Sequence, residues 1–209
     1  MKVGIILTND ERSRAYLQKL QQQKILLDSY VLMNNAIEIE FSKEVISTSK
    51  KFGFDISEST KNTLLKNNIL FNEFNFLDIN HPKLINFLKE ENCDYFIFTG
   101  GGILKKDILN LPIKFIHMHP GIVPHYRGST CFYYSIINEQ SAGVTAFIMD
   151  KNLDTGNVIY QKKFEKPNHQ FIDEVYDPFI RSETLMDILQ RQILKESNFS
   201  QQDPKNGET

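Results

Sequence analysis

Residues Phe115 to Gly128 read FIHMHPGIVPHYRG, with three histidines within nine residues and two of them, His117 and His119, spaced H-x-H directly before a Pro-Gly turn. On an extended strand the side-chain period is two, so both imidazoles point to one face together with Phe115. A neutral imidazole suits metal ligation, and a pKa near neutrality suits proton transfer. Three readings are open at this point: a metal site, an acid–base pair, or polar residues at a solvated strand end. A metal site needs three or four ligands, and His117, His119, His125 and a remote carboxylate are what the chain offers. His81 before a proline, and His125 and His169 alone in loops, read as ordinary polar residues. Beyond the next strand comes Leu153-Asp154-Thr155-Gly156, a carboxylate beside a glycine at another strand-to-loop junction. D-x-G alone is the composition of a common turn. Joined to H-x-H-P at this separation, it is far more specific.

Such side chains need elements to hold them. Val3 to Leu7 (VGIIL) is a continuous apolar run of the kind expected for a strand buried on both faces, and it ends at the turn residues Thr8-Asn9-Asp10. Glu11 to Gln23 reads as a polar helix with Ala15, Leu17 and Leu20 on its apolar side, and Ile25 to Leu32 as a second strand or the helix end. Between residues 33 and 92, STKNTLLKNN and DINHPKLINFLKEEN are helical, the second with Pro82 in its first turn. Asp94 to Thr99 (DYFIFT) is a second buried strand, followed by Gly100-Gly101-Gly102, where a ligand can approach the backbone. KKDILN is a short helix, Phe115 to Met118 and Val144 to Met149 are strands, and Asp173 to Leu194 is a terminal helix. Pro120-Gly121 puts the histidines at a strand's carboxyl end, where open α/β sheets bind ligands. The expected organisation is one α/β domain over 1–196 and a polar, frayed tail over 197–209.

Composition narrows the classes. The 209 residues, 41% hydrophobic, suffice for one substantial core. With 24 Lys+Arg against 26 Asp+Glu, the net charge of -2 gives no overall field for nucleic acid. Two cysteines, Cys93 and Cys131, are too few for a disulfide framework and lack thiolate-site spacing, so they read as thiols of a reducing compartment. The start MKVGIILTND is neither signal peptide nor spanning helix, and no run reaches 18 apolar residues, so a cytoplasmic protein without a membrane partner is expected.

The stretch HMHPGIVPHYRG followed by GVTAFIMDKNLDTGNVI resembles the folate-dependent formyltransferases, whose hallmark is N-x-H-P-[SG]-x-x-P, often continued by x-x-[RK]-G, with a later D-x-G. The resemblance is specific from about Asp94 to Ile159. It implies a Rossmann-like, open, mostly parallel twisted sheet with helices on both faces, N10-formyltetrahydrofolate as co-substrate, and no metal. It also implies catalytic roles for His117, His119 and Asp154: an amine attacks the formyl carbon, His119 stabilises the oxyanion and helps move protons, and Asp154 orients His119 and accepts the amine's proton. His117 stands where the family has Asn, whose carboxamide is thought to donate to the oxyanion; an imidazole N–H donates only in the right tautomer or when protonated. Gly101, Gly102, Ile103 and Leu104 fall at the family's folate loop, with Asp150 in the loop closing the other side.

Three acceptor branches follow from the resemblance. The glycinamide ribonucleotide enzymes have a glycine-rich phosphate loop after the first strand, where this chain reads TNDERSR. The methionyl-tRNA enzymes carry a further barrel domain and usually exceed 300 residues. The small sugar N-formyltransferases remain closest, implying a nucleotide-linked amino sugar as acceptor, a role in lipopolysaccharide or surface glycan biosynthesis, and a precursor of the pseudaminic acid type by analogy. Tyr126 and Arg127 are then substrate-binding, the guanidinium pairing with a phosphate. Expected partners are this small molecule and a second copy in a homodimer, with no nucleic acid. The competing readings are a hydrolase of the same fold releasing formate, a metal-dependent hydrolase using H-x-H, and a binding protein that has lost catalysis at His117.

Overall fold

A computed structural model describes residues 1–34, 39–100, 102–128, 131–168, 170–196 and 198–203. Seven strands form one sheet in the order β3-β2-β1-β4-β5-β6-β7. They are β1 Val3–Leu7, β2 Ser29–Met33, β3 Asn72–Phe74, β4 Tyr95–Phe98, β5 Lys114–His119, β6 Ser141–Ile148 and β7 Val158–Glu165. β1 to β5 pair in parallel, while β6 pairs antiparallel with both β5 and β7. The helices are α1 Glu11–Gln22, α2 Lys43–Lys51, α3 Thr60–Lys66, α4 Pro82–Glu90, α5 Lys106–Leu109, α6 Cys131–Glu139 and α7 Asp177–Gln190. The Rossmann-like, mostly parallel sheet expected from the sequence is the observed architecture.

Alternation along the central strands divides the core into two layers. Ile5 and Leu7 of β1, Ile97 of β4 and Met118 of β5 pack with Leu17 and Leu20 of α1 and Leu185 of α7. Ile6, Phe96, Phe98 and Phe115 face the opposite way, against Leu84 and Leu88 of α4 and Ile108 of α5. Phe115 therefore marks the face onto which His117 and His119 also project. Gly4 on β1 has no substitute, because a Cβ there would lie 2.3 Å from the Phe96 ring.

The connection turns back between β1 and β4, so their carboxyl ends open a crevice at the switch point. Polar side chains tie that edge together. Asp10 caps α1 by accepting from Ser13 N at 2.7 Å, the Ser13 hydroxyl lies 2.7 Å from that of Thr99, and Thr99 Oγ1 donates to the Ile6 carbonyl at 2.9 Å.

Three local differences from the sequence expectation have physical causes. The terminal helix begins as a π-helical turn, Ile172–Tyr176, and becomes α-helical only at Asp177, with Pro178 in the first turn where its missing N–H costs no bond. β7 is an unforeseen edge strand whose alternating burial exposes Gln161, Lys163 and Glu165, a charged edge that discourages pairing with another sheet. The tail expected to fray is held at Ser200, whose N–H and carbonyl both bond to Val158 at 3.1 and 2.8 Å. Among the described residues no helix is long and apolar enough to cross a membrane.

Candidate active site

A cleft of about 610 Å³ opens at the carboxyl ends of the central strands. One wall is the segment after β4, from Phe98 through Gly100, Gly102, Ile103 and Leu104. Facing it are Phe147, Met149 and the loop from Asp150 to Asp154, with His117 and Arg12 completing the lining. Gly102, Ile103, Leu104 and Asp150 line this cleft, whereas Gly101 lies outside the described residues, as does His169. Ile103 and Leu153, on opposite walls, are 82% and 62% exposed, apolar area that a bound planar ligand would cover.

The D-x-G loop is shaped by two backbone requirements. Asp154 sits at φ +53°, a left-handed conformation that Asp tolerates better than most residues. Gly156 cannot carry a side chain, since a Cβ would fall 1.6 Å from the Ile148 carbonyl oxygen. Asp150 closes the same loop by accepting from Asn152 N and the Thr155 hydroxyl, both at 2.9 Å.

β5 and this loop bring the three expected residues together. His119 Nδ1 lies 3.4 Å from Asp154 Oδ2, and the rings of His117 and His119 are 6.4 Å apart, both against Phe147. Asp154 Oδ2 also accepts from Gly128 N at 2.9 Å. On its other side, His119 Nε2 is 3.0 Å from the Tyr126 carbonyl, which can only accept, so Nε2 carries the proton. In the neutral ring Nδ1 then turns a lone pair toward the carboxylate. The contact becomes fully attractive when the pair takes up one further proton. Burial lowers the His119 pKa against the opposing pull of Asp154 and the Tyr126 carbonyl, so that proton position is empty at rest.

His119 is 2% exposed and does not line the cleft; His117 and Asp154 do. This differs from the direct oxyanion contact the resemblance implied, because both His119 nitrogens face protein atoms. Burial, together with Arg181, His119 and Arg12, holds the His117 pKa well below the usual 6.5, so this ring is neutral. A backbone hydrogen bond with Phe98 opposes that shift, as expected when a ring N–H donates to a carbonyl, while Nδ1 is buried with no partner among the described residues. Nδ1 is then a proton-free acceptor.

Two further expectations meet the structure differently. Arg127 is not directed at the cleft: it is 6% exposed and its Nη2 donates to Gln202 Oε1 at 3.1 Å. Tyr126 lends its carbonyl to His119, while its side chain hydrogen-bonds Glu139, so neither residue lines the cleft. His125 is exposed on the loop, and His81 caps α4 through Nδ1 while stacking on Phe76 at 3.9 Å. Among the described residues no three His, Cys, Asp or Glu side chains are grouped to hold a metal ion.

Sequence reasoning missed four contributors. Cys131 Sγ lies 3.2 Å from His119 Nε2 and from the Pro120 carbonyl, and burial pushes its thiol up to about 12, which keeps it protonated and unreactive. Arg181 of α7 donates to Asp177 at 2.7 Å and to the Met118 carbonyl, fixing the end of β5. Arg12 connects the cleft to a second hollow of about 300 Å³ whose lining includes Glu11, Tyr133, Asp173, Glu174 and Asp177. Gln202 reaches the D-x-G loop itself, donating to the Asp154 and Gly156 carbonyls. The D-E spacing of Asp173 and Glu174 was visible in the sequence; nothing local marked Cys131 or Gln202.

Comparison with known proteins agrees with this geometry. The sequence is 39% identical over 98 residues to methionyl-tRNA formyltransferase of Clostridium beijerinckii, covering 45% of this chain and 32% of that protein. It is 29% identical over 181 residues to the Clostridioides difficile enzyme of the same name, covering 84% of this chain and 55% of that one. The chain thus spans about a third to a half of the length of these relatives. In structure it is similar to an N-formyltransferase from Helicobacter canadensis in complex with folinic acid and dTDP-3-aminofucose, with a TM-score of 0.63, 17% identity, and coverage of 100% of this chain and 70% of that one. The profile of the formyl transferase family matches residues 32–187, which include the crevice strands β4 and β5, the H-x-H-P turn and the D-x-G loop, so the chain belongs to that family.

Proposed function

We propose that this protein transfers a formyl group from N10-formyltetrahydrofolate to the primary amine of a nucleotide-linked amino sugar, in the cytoplasm, for a surface glycan. The observation that carries the reading is His117 and Asp154 lining one cleft, with His119 Nδ1 3.4 Å from the Asp154 carboxylate. The cleft suits the formyl donor: backbone at Gly100 and Gly102 is open to a flat heterocycle, and Ile103 and Leu153 offer apolar cover from opposite walls.

The acceptor amine must lose its proton to attack. Asp154 attracts the ammonium form and takes the proton, which His119 Nδ1 then shares. As the new C–N bond forms, negative charge grows on the formyl oxygen. The ammonium gives up two protons in all: the first, held by Asp154 and His119, passes to solvent, and the second, lost as the C–N bond forms, goes to N10 as the bond to N10 breaks. His117 Nδ1 is buried in the free protein, so the ring must turn toward the cleft as substrate binds. There, proton-free at neutral pH, it takes the second proton as the C–N bond forms, becomes a donor to the formyl oxygen, and passes that proton to N10. It thereby replaces the carboxamide that the family resemblance implies with a group that depends on pH.

The second hollow supports a sugar as acceptor. It is lined by Glu11, Asp173, Glu174 and Asp177 and also by Arg12 and Arg181, so the hydroxyl groups of a sugar ring find both acceptors and donors there. The identity to methionyl-tRNA formyltransferases favours a second reading, in which the amine is that of methionyl-tRNA.

One experiment separates these. Purified protein is incubated with N10-formyltetrahydrofolate and dTDP-3-aminofucose, methionyl-tRNA or no acceptor, with and without chelator. Formylated sugar, formed despite chelator and lost in Asp154→Asn, is expected. Formylation of methionyl-tRNA alone replaces the sugar reading, and formate released without acceptor replaces transfer by hydrolysis.

A further inference from the structure

We infer that the segment Phe199–Asp203 is a clamp on the site, in which Gln202, held by Arg127, is a positioning residue for Asp154. The catalytic consequence rests on the formyl-transfer reading; the clamp itself does not.

The Gln202 amide is fully engaged. Nε2 donates to the carbonyls of Asp154 at 3.1 Å and Gly156 at 2.7 Å, and Oε1 accepts from Arg127 Nη2 at 3.1 Å. Two carbonyls and one guanidinium permit only this orientation of the amide. Arg127 Nη2 also reaches the Asp203 carbonyl at 3.5 Å, and the Ser200–Val158 pairing delivers Gln202 to the loop.

Arg127 and Gly128 therefore hold Asp154 from two directions. The Gly128 N–H bonds the carboxylate directly, and the Arg127 side chain acts through Gln202 on the main-chain carbonyl. The loop needs such support. Asp154 is left-handed and lies beyond the end of β6, so no strand ladder satisfies its carbonyl. A carboxylate free to swing would lose its 3.4 Å contact with His119 and its place in the cleft. Residues 188–203 lie outside the family match, so the clamp is built from sequence that the match does not cover.

Gln202→Glu tests this with little change of shape, because a carboxylate can accept from Arg127 but cannot donate to either carbonyl. Gln202→Ala removes the whole amide, and Gln201→Ala, at an exposed neighbour, is the control. Hydrogen exchange of the peptide over 150–157 is expected to quicken about tenfold or more in both Gln202 variants, with 95–99 unchanged. In the same variants kcat with dTDP-3-aminofucose, or with methionyl-tRNA if that is the acceptor used, falls about tenfold or more, while KM for N10-formyltetrahydrofolate stays within about twofold. Unchanged exchange over 150–157, or wild-type kcat in Gln202→Glu, overturns the clamp. A wild-type protein inactive on both acceptors overturns formyl transfer instead, and the exchange measurement still decides the clamp.

Discussion

At the scale of single residues, the pair His119–Asp154 and the substituted His117 divide the proposed chemistry. Asp154→Asn keeps the shape but removes the proton acceptor, so kcat is expected to fall about 10²–10⁴-fold, checked by the appearance of tetrahydrofolate. His117→Asn places there the carboxamide that the family resemblance implies and is expected to retain measurable turnover with a weaker dependence on pH between 5.5 and 7.5. Complete loss would mean that the imidazole performs something a carboxamide cannot. The same ring leaves a mark on stability. Folded His117 is held neutral while the unfolded chain protonates it near 6.5, so the unfolded state takes up the proton first as pH falls. Its contribution is complete above that value and declines as pH drops through 6.5 toward the depressed folded pKa, and His119 acts in the same direction. Urea midpoints are therefore expected to fall between pH 7.5 and 5.5, and to fall less in His117→Asn.

At the scale of elements, β5 supplies both histidines and α7 holds its end. Arg181 reaches from α7 to the Met118 carbonyl while pairing with Asp177, and both partners are nearly buried. Arg181→Ala strands the Asp177 carboxylate and frees the carbonyl, and is expected to cost about 3–5 kcal/mol in denaturant unfolding. The D-x-G loop behaves differently, because its constraint is steric. A methyl at Gly156 meets the Ile148 carbonyl at 1.6 Å, so Gly156→Ala must displace the loop carrying Asp154. Activity is expected to be lost while far-UV circular dichroism remains that of the native sheet.

At the scale of the whole molecule, the site exists because the chain reverses between β1 and β4 and leaves a crevice at the strand ends. A ligand that fills it binds the folded chain only. Folinic acid at a hundredfold excess over its Kd is expected to add about 2.7 kcal/mol to stability, read as a rise in Tm, and the gain should vanish if the cleft is not its site. The two packed layers on either side of the sheet keep that crevice rigid: Leu17, Leu20 and Leu185 beneath, Leu84, Leu88 and Ile108 above.

Much of this was legible in the residues themselves. The apolar runs at Val3–Leu7 and within Asp94–Thr99 announced buried strands, and period two alone put His117 and His119 on one face. The H-x-H-P turn and D-x-G, being local patterns with fixed backbone needs, marked the loops that meet. What only the tertiary structure decided were contacts between segments distant in sequence, which no local periodicity records. Burial turned both His119 nitrogens onto protein atoms, and lined the cleft with His117 instead. Arg127, read as a phosphate ligand from its type, faces Gln202 across 75 positions of chain. The tail, polar and without pattern, looked free because its partners are the backbone carbonyls of Asp154 and Gly156, groups that every residue has and whose availability depends only on the fold.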